Sequence, residues 1–210
     1  MLLVQDYLRF TVTLVAVLDP FLAIPIFLGV AAGRTPAGRR RLVQAVTATV
    51  FLVLAGAAVF GEPLLSVIGA SLPAFRVGGG LVLLLMALAM LNAQAGGVRQ
   101  SKAEAEELES GDPSGVVPLA VPLLAGPGAI SACILAGQAG GTAHVAAVVG
   151  CIAVVCALLW LVLTLAERIG SRLGRTGLNI ATRLLGLALA AIAVEMMAAG
   201  LRELLPGLAR

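Results

Sequence analysis

The chain has 210 residues, of which 60% belong to the hydrophobic set and 12% are charged, with a formal net charge of +3. A soluble domain has about 25% charged residues, so a chain this apolar cannot cover itself with a polar surface in water, and lipid is its natural solvent. One histidine and three cysteines without a CxxC pair point to neither a metal site nor a disulfide framework, and nothing in the sequence suggests nucleic-acid binding.

Six apolar stretches follow one another, each long enough at about 20 residues to cross roughly 30 Å of hydrocarbon. We predict an all-α membrane protein whose spans run approximately from Leu8 to Ala32, Leu42 to Phe60, Leu72 to Ala93, Val116 to Gln138, Ala143 to Ala166 and Ile180 to Leu201. Loops are expected at Arg34 to Arg41, from Gly61 to Pro63, at Gly140 to Thr142 and from Glu167 to Gly177. The polar segment 96–115, rich in glutamate, predicts a cytoplasmic linker between two halves, residues 1–95 and 116–210.

Lysine and arginine residues are concentrated on one side of the predicted bundle. The first, third and fifth loops carry most of them, namely Arg34, Arg39, Arg40, Arg41, Arg99, Lys102, Arg168, Arg172 and Arg175. The opposite side has only Arg9, Arg202 and Arg210 as clear positive residues. Because positive loops stay in the cytoplasm, both termini are predicted to lie outside.

The two halves share a sequence pattern. Pro20 to Pro25 and Pro122 to Pro127 both read P-x-L-A-x-P, each in the first helix of its half, and Arg76 to Gly79 resembles Arg183 to Gly186 in the third. Since each half has three helices, the second half must enter the membrane upside down. Inverted repeats with paired Pro/Gly-interrupted helices are typical of secondary transporters, and the interruptions indicate the substrate site.

Paired prolines predict that the first and fourth helices are discontinuous. A proline removes an amide donor and clashes with the carbonyl four residues back, so we expect breaks between Pro20 and Pro25 and between Pro122 and Pro127. Freed backbone groups are tolerated at membrane depth only against protein or a wet cavity. Carbonyls ending one half-helix suit a cation and amides starting the next suit an anion, so such a gap suits a zwitterion.

The stretches that carry this pattern also resemble a known family. Asp19 to Phe27, Ser71 to Gly79, Val117 to Ile130, and Arg183 to Gly186 with Ala190 to Val194 behind it are similar to the MarC/SnatA family of bacterial inner-membrane proteins. The resemblance implies six membrane helices and uptake of small neutral amino acids such as glycine and alanine, driven by an ion gradient, H+ or Na+. Many members carry glutamine where this chain has Glu195.

Asp19 is the leading candidate for the site, because an aspartate at mid-membrane costs roughly 2.5–3.5 kcal/mol. It could bind the substrate ammonium, bind a coupling cation or carry a proton, or it could only cap the helix that follows. The substrate-binding residues predicted from the two interrupted helices are Asp19, Pro20, Ala23, Pro25, Ala125, Gly126, Pro127, Gly128, Ala129 and Ser131. The counterpart of Asp19 is Val121, which predicts ammonium near Asp19 and carboxylate near the amides of Gly126, Gly128 and Ala129.

Glu195 is a second candidate for ion or proton coupling. Arg76 or Arg183 could pair with it across the repeat interface, or each arginine could extend to a membrane surface. Two other function classes stay open: a non-transporting membrane scaffold or accessory subunit, and an intramembrane enzyme, although no nucleophile, base and orienting group occur together. No cofactor is expected, the partners are the substrate and the bilayer, and the sequence leaves homo-oligomers open.

Overall fold

Seven helices make up the computed structural model, which describes residues 4–92, 124–138 and 140–209. They are α1 (Val4–Leu18), α2 (Pro20–Ala31), α3 (Pro36–Ile68), α4 (Leu72–Leu91), α5 (Pro127–Gly137), α6 (Thr142–Thr164) and α7 (Ala166–Leu204), followed by a 3-10 turn at Pro206–Ala209. Every regular element in these ranges is helical, which confirms the predicted all-α class.

Five of the described segments are long and apolar enough to cross a membrane. They are Val4–Ala31, Pro36–Gly61, Leu72–Leu91, Thr142–Thr164 and Thr176–Leu204, and α5 is a shorter apolar helix. Helix α5 covers the second part of the predicted fourth span, whose first part, 116–123, lies outside the described residues together with the linker 96–115. The chain is therefore a multi-pass, membrane-embedded helical protein.

Two predicted loops are helical. Helix α3 continues through Gly61 and Pro63 to Ile68, because Gly61 packs directly against α5: a Cβ at Gly61 would lie 2.7 Å from Ile134. The polar segment from Glu167 to Gly177 belongs to α7, with one interruption at Gly174, whose φ of 60° breaks the helix there. Glycine adopts this left-handed conformation without steric cost.

Two contacts between connecting segments show which of these segments lie at the same end of the bundle. At one end Arg39 forms an ion pair with Glu167, which joins the first and fifth connections. At the other end Tyr7 donates its hydroxyl proton to His144 Nδ1 at 2.8 Å, since His144 Nε2 donates to the Ala136 carbonyl at 2.7 Å. The alternation of sides used to count positive residues is thus consistent with these contacts.

The third and sixth predicted spans form the most extensive helix pair, α4 against α7. Gly80 faces the Ala193 carbonyl and Met197, while Gly186 faces the Ala87 carbonyl and Leu91. One constant shift in residue number relates the two sets: Gly80, Ala87 and Leu91 on α4 correspond to Gly186, Ala193 and Met197 on α7. These contacts pair Gly186 with Gly80, whereas the predicted sequence pattern paired it with Gly79. Small residues permit such close approach of helix backbones in membranes.

Replacing Gly80 with alanine should destabilise the bundle. The new Cβ would lie 2.5 Å from Met197 Cγ and 2.9 Å from the Ala193 carbonyl oxygen, and such overpacking costs about 1–3 kcal/mol. The midpoint of thermal unfolding in detergent should therefore fall. Gly78→Ala is the matched control, because Gly78 lies on the same helix with open space around its Cα; equal midpoints for the two variants would contradict this packing.

Candidate functional site

The first membrane span is interrupted at Asp19, between α1 and α2. Asp19 has φ 45° and ψ 72°, the one positive φ at a non-glycine residue in the described part of the chain. Aspartate visits this left-handed region more readily than most residues because its short side chain bonds locally. Here Asp19 Oδ1 accepts from the Leu22 amide at 3.3 Å and from the Thr182 hydroxyl at 3.4 Å. The carboxylate thus caps α2 and joins it to α7.

The break lies one residue before the position predicted for it. The prediction of an unwound turn between Pro20 and Pro25 is wrong, because α2 runs without interruption from Pro20 to Ala31. Pro20 occupies the first helical position, where its missing amide hydrogen has no intrahelical partner to lose. Pro25 removes one further donor but lies on the exposed face of α2, while Ala23 is buried.

The second predicted break overlaps the start of α5. Gly126 is extended at φ −73° and ψ 175°, Pro127 takes the first helical position, and no side chain caps the helix from the Gly126 position. Ala125, Gly126, Gly128 and Ala129 are buried. Pro122 and Val121 lie outside the described residues, so the predicted break between Pro122 and Pro127 is described only from Leu124 onward.

The starts of α2 and α5 differ in charge. A fully buried carboxylate caps α2, whereas the amides in the first turn of α5 receive no side-chain cap. The first turn of a helix carries partial positive charge and accommodates an anion. One helix start therefore presents negative charge and the other presents amide donors.

A cleft of about 760 Å³ opens at the end of the bundle where α1 starts and α5 ends. Helices α1, α4, α5 and α7 form its walls, and its polar lining includes Arg9, Thr13, Arg76 and Glu195. Its remaining lining is apolar, including Leu83, Ala132 and Met196. We call this space the terminal cleft.

Leu83 borders both the terminal cleft and the start of α5, and Met196 borders the cleft and Gly79 of α4. A Cβ on Gly128 would lie 2.8 Å from Leu83 Cδ2, and a Cβ on Gly79 would lie 3.2 Å from Met196 Cε and 3.1 Å from Ser131 Cβ. Ser131 is buried, with 8% of its surface exposed. Leu83 therefore belongs both to the lining of the terminal cleft and to the side chains packed on the first turn of α5.

The starts of α2 and α5 are equally far along the chain from residues that line the terminal cleft. Thr13 and Ala132 both line the cleft. Asp19 follows Thr13 by six residues, and Gly126 precedes Ala132 by six residues. Six residues correspond to about 9 Å of helix rise. Since the start of α1 is held beside the end of α5 through His144, both helices lead from that end to these two positions.

The other charged residues predicted near membrane depth have different surroundings. Arg76 forms an ion pair with Glu203, so the predicted alternative of a pair between Arg76 and Glu195 is wrong. Arg183 is exposed on α7, and Glu195 is exposed in the terminal cleft. Thr182, the partner of Asp19, was not among the predicted site residues; its only sequence signal is a hydroxyl residue in an apolar helix, which is a weak one.

Comparison with known proteins places the chain among integral membrane proteins. The profile described as MarC family integral membrane protein matches residues 4–205. The chain is 38% identical over 199 residues to UPF0056 membrane protein YvbG of Bacillus subtilis, covering 93% of each. It is 32% identical over 203 residues to UPF0056 membrane protein YhcE of Escherichia coli, covering 96% of this chain and 94% of the relative. No solved structure matches the chain.

Proposed function

The chain belongs to the MarC family of integral membrane proteins, and from this premise we propose that it is a secondary transporter of small neutral amino acids such as glycine and alanine. The observation that carries the proposal is the contrast between two helix starts: the buried Asp19 carboxylate caps α2, whereas α5 starts after Gly126 without a side-chain cap. An amino-acid zwitterion offers one group to each.

The proposal includes an inverted repeat of two three-helix halves. The reciprocal contacts between α4 and α7 support it, because one shift in residue number converts Gly80 and its neighbours into Gly186 and its neighbours. In the antiparallel α4–α7 pair, rising residue numbers on α4 meet falling numbers on α7, from Pro73 beside Gly200 to Ala87 beside Gly186. This direction is the one expected of third helices in halves of opposite orientation.

In the proposed site the substrate ammonium lies toward Asp19 and the carboxylate toward the amides of Gly128 and Ala129. Buried small residues border both groups, including Ala23, Ala125 and Ser131. Small side chains around the proposed substrate would favour glycine and alanine over larger amino acids. Pro25 and Pro127, both exposed, act in this proposal on the backbone and not by touching the substrate.

The terminal cleft serves in this proposal as the outer entrance. Both termini lie outside a bacterial inner membrane, as the concentration of positive residues on the other side favours. In this proposal Leu83 and Met196, which line the cleft, form its floor on the side of α5, and the cleft is the outward-facing part of the pathway. Glu195, an ionisable group lining the cleft, is proposed to carry the coupling proton.

Uptake by the purified protein tests the proposal. The protein is reconstituted into liposomes, and entry of labelled glycine is measured under a proton gradient and a sodium gradient imposed separately. We expect glycine to accumulate above its equilibrium level under the proton gradient, with unlabelled alanine competing and phenylalanine not. Absence of entry above protein-free vesicles under both gradients would rule out the function.

The proposal treats the protein as a carrier and not as an intramembrane enzyme or a passive scaffold. Turnover of lipid or peptide by the same purified preparation would favour the enzyme. Insertion of an aspartate into a membrane span costs roughly 2.5–3.5 kcal/mol. A passive scaffold would not require a buried carboxylate at such a position.

A further inference from the structure

A second cleft of about 470 Å³ lies at the opposite end of the bundle from the terminal cleft. It is bounded by the end of α2, the start of α3, the end of α6 and the start of α7. Because the apolar segments Val4–Ala31 and Thr142–Thr164 both end here, this cleft lies where hydrocarbon gives way to lipid headgroups.

Three arginines line this cleft, which we call the arginine cleft: Arg34, Arg39 and Arg40. Among the described residues that line the cleft there is one carboxylate, that of Glu167, and it is paired with Arg39. Arg34 Nε donates to the Val30 carbonyl at 3.1 Å, which holds this guanidinium at the end of α2. The charges lining the arginine cleft therefore sum to an excess of positive charge, carried by Arg34 and Arg40.

The start of α3 adds to this positive potential. Pro36 lines the arginine cleft and is the first residue of α3. Helix N-termini carry about half a positive charge, and of the first-turn amides that of Gly38 donates to Thr35 Oγ1 at 3.2 Å. The positive end of the helix and the arginines therefore both favour binding of an anion.

The other wall of the arginine cleft is apolar. Phe27, Leu28, Val43 and Leu163 line it, and they belong to the membrane-spanning parts of α2, α3 and α6. A free inorganic anion would gain no binding energy from contact with this apolar wall. A molecule with an anionic head and a hydrocarbon tail matches both parts of the lining.

We propose that the arginine cleft binds an anionic phospholipid, with its phosphate on Arg34 and Arg40 and the start of an acyl chain on Phe27, Leu28 and Leu163. Basic pockets between membrane helices recognise lipid headgroups in this way. The site is separate from the proposed substrate site, so the lipid proposal stands or falls independently of transport.

The test is a lipid titration of the purified full-length protein in a neutral detergent. Phosphatidylglycerol is expected to bind saturably and to raise the thermal midpoint, and phosphatidylcholine is not. Arg40→Gln and Arg34→Gln should each weaken phosphatidylglycerol binding about fivefold, and Arg40→Lys should restore part of the loss. Arg41→Gln is the matched control, because it removes the same charge from the next residue, which is exposed and outside the lining.

Three outcomes would overturn the lipid proposal. Equal weakening by Arg41→Gln and Arg40→Gln would indicate attraction to the general positive charge of this end. The same saturable midpoint shift with inorganic phosphate alone would indicate a simple anion site. A strong gain of lipid binding on replacing the acidic residues between 104 and 112 by their amides would identify that segment of the chain as the occupant.

Discussion

Asp19→Asn is expected to reduce glycine uptake by about tenfold to a hundredfold while leaving the protein folded. Asparagine keeps the size of the side chain, tolerates the left-handed backbone conformation and retains an oxygen that can accept from the Leu22 amide. The negative charge is removed, and one acceptor oxygen becomes an amide donor. A hydrogen bond to a charged group is worth about 1.5–3 kcal/mol, and each 1.4 kcal/mol corresponds to a tenfold change in affinity.

Two further variants separate charge from structure at this position. Asp19→Ala removes both the charge and the cap, so we expect the same loss of uptake together with about 1 kcal/mol lower stability. Asp6→Asn makes the same chemical change on the exposed surface of α1 and should transport normally. Unchanged glycine affinity, pH dependence and ion dependence in Asp19→Asn would reduce Asp19 to a structural cap.

Glu195→Gln is expected to abolish accumulation of glycine under a proton gradient while leaving exchange of internal for external glycine intact. Glutamine has nearly the same shape but cannot gain or lose a proton, so substrate would still cross while the coupling is lost. The accumulation ratio in vesicles should fall from well above one to about one. The measurement is labelled glycine uptake with an imposed pH gradient, followed by exchange without one.

Glu167→Gln is the control for this experiment. Glu167 lies before the break of α7 at Gly174 and Glu195 lies after it, and Glu167 is paired with Arg39 at the opposite end of the bundle from the terminal cleft. It should accumulate glycine as the wild type does. If Glu195→Gln reaches the wild-type accumulation ratio, Glu195 is not the proton site, although the carrier itself is not thereby excluded.

The helical class and the apolar spans could be predicted from the sequence because hydrophobic length responds directly to bilayer thickness. The ends of the helices could not. Polar residues from Glu167 to Gly177 suggested a loop, yet they are helical on both sides of Gly174, since a membrane helix can continue past the hydrocarbon into the headgroup region. Gly61 and Pro63 looked like a loop signal, and the contact of Gly61 with Ile134 shows instead that the glycine serves helix packing.

The candidate site was predictable in part for a similar reason. Asp19 stood out because an acidic residue inside an apolar stretch is costly, and the structure buries it at the interruption of the first span. Its partner Thr182 could not be found, because a hydrogen bond between residues this far apart in sequence leaves no local pattern. The exact position of the break also depended on backbone detail. The chain leaves helical geometry at Asp19, which takes the left-handed conformation, whereas Pro25 lies inside α2.

Counterflow of labelled glycine tests most directly whether two interrupted helices hold and carry a small zwitterion. Liposomes containing the purified protein are loaded with unlabelled glycine and diluted into a trace of labelled glycine, with no ion gradient imposed. We predict a transient accumulation of label that is absent when the vesicles are loaded with phenylalanine or contain Asp19→Asn. Entry of label that is independent of the internal load, or no entry beyond protein-free vesicles, would contradict the proposed carrier.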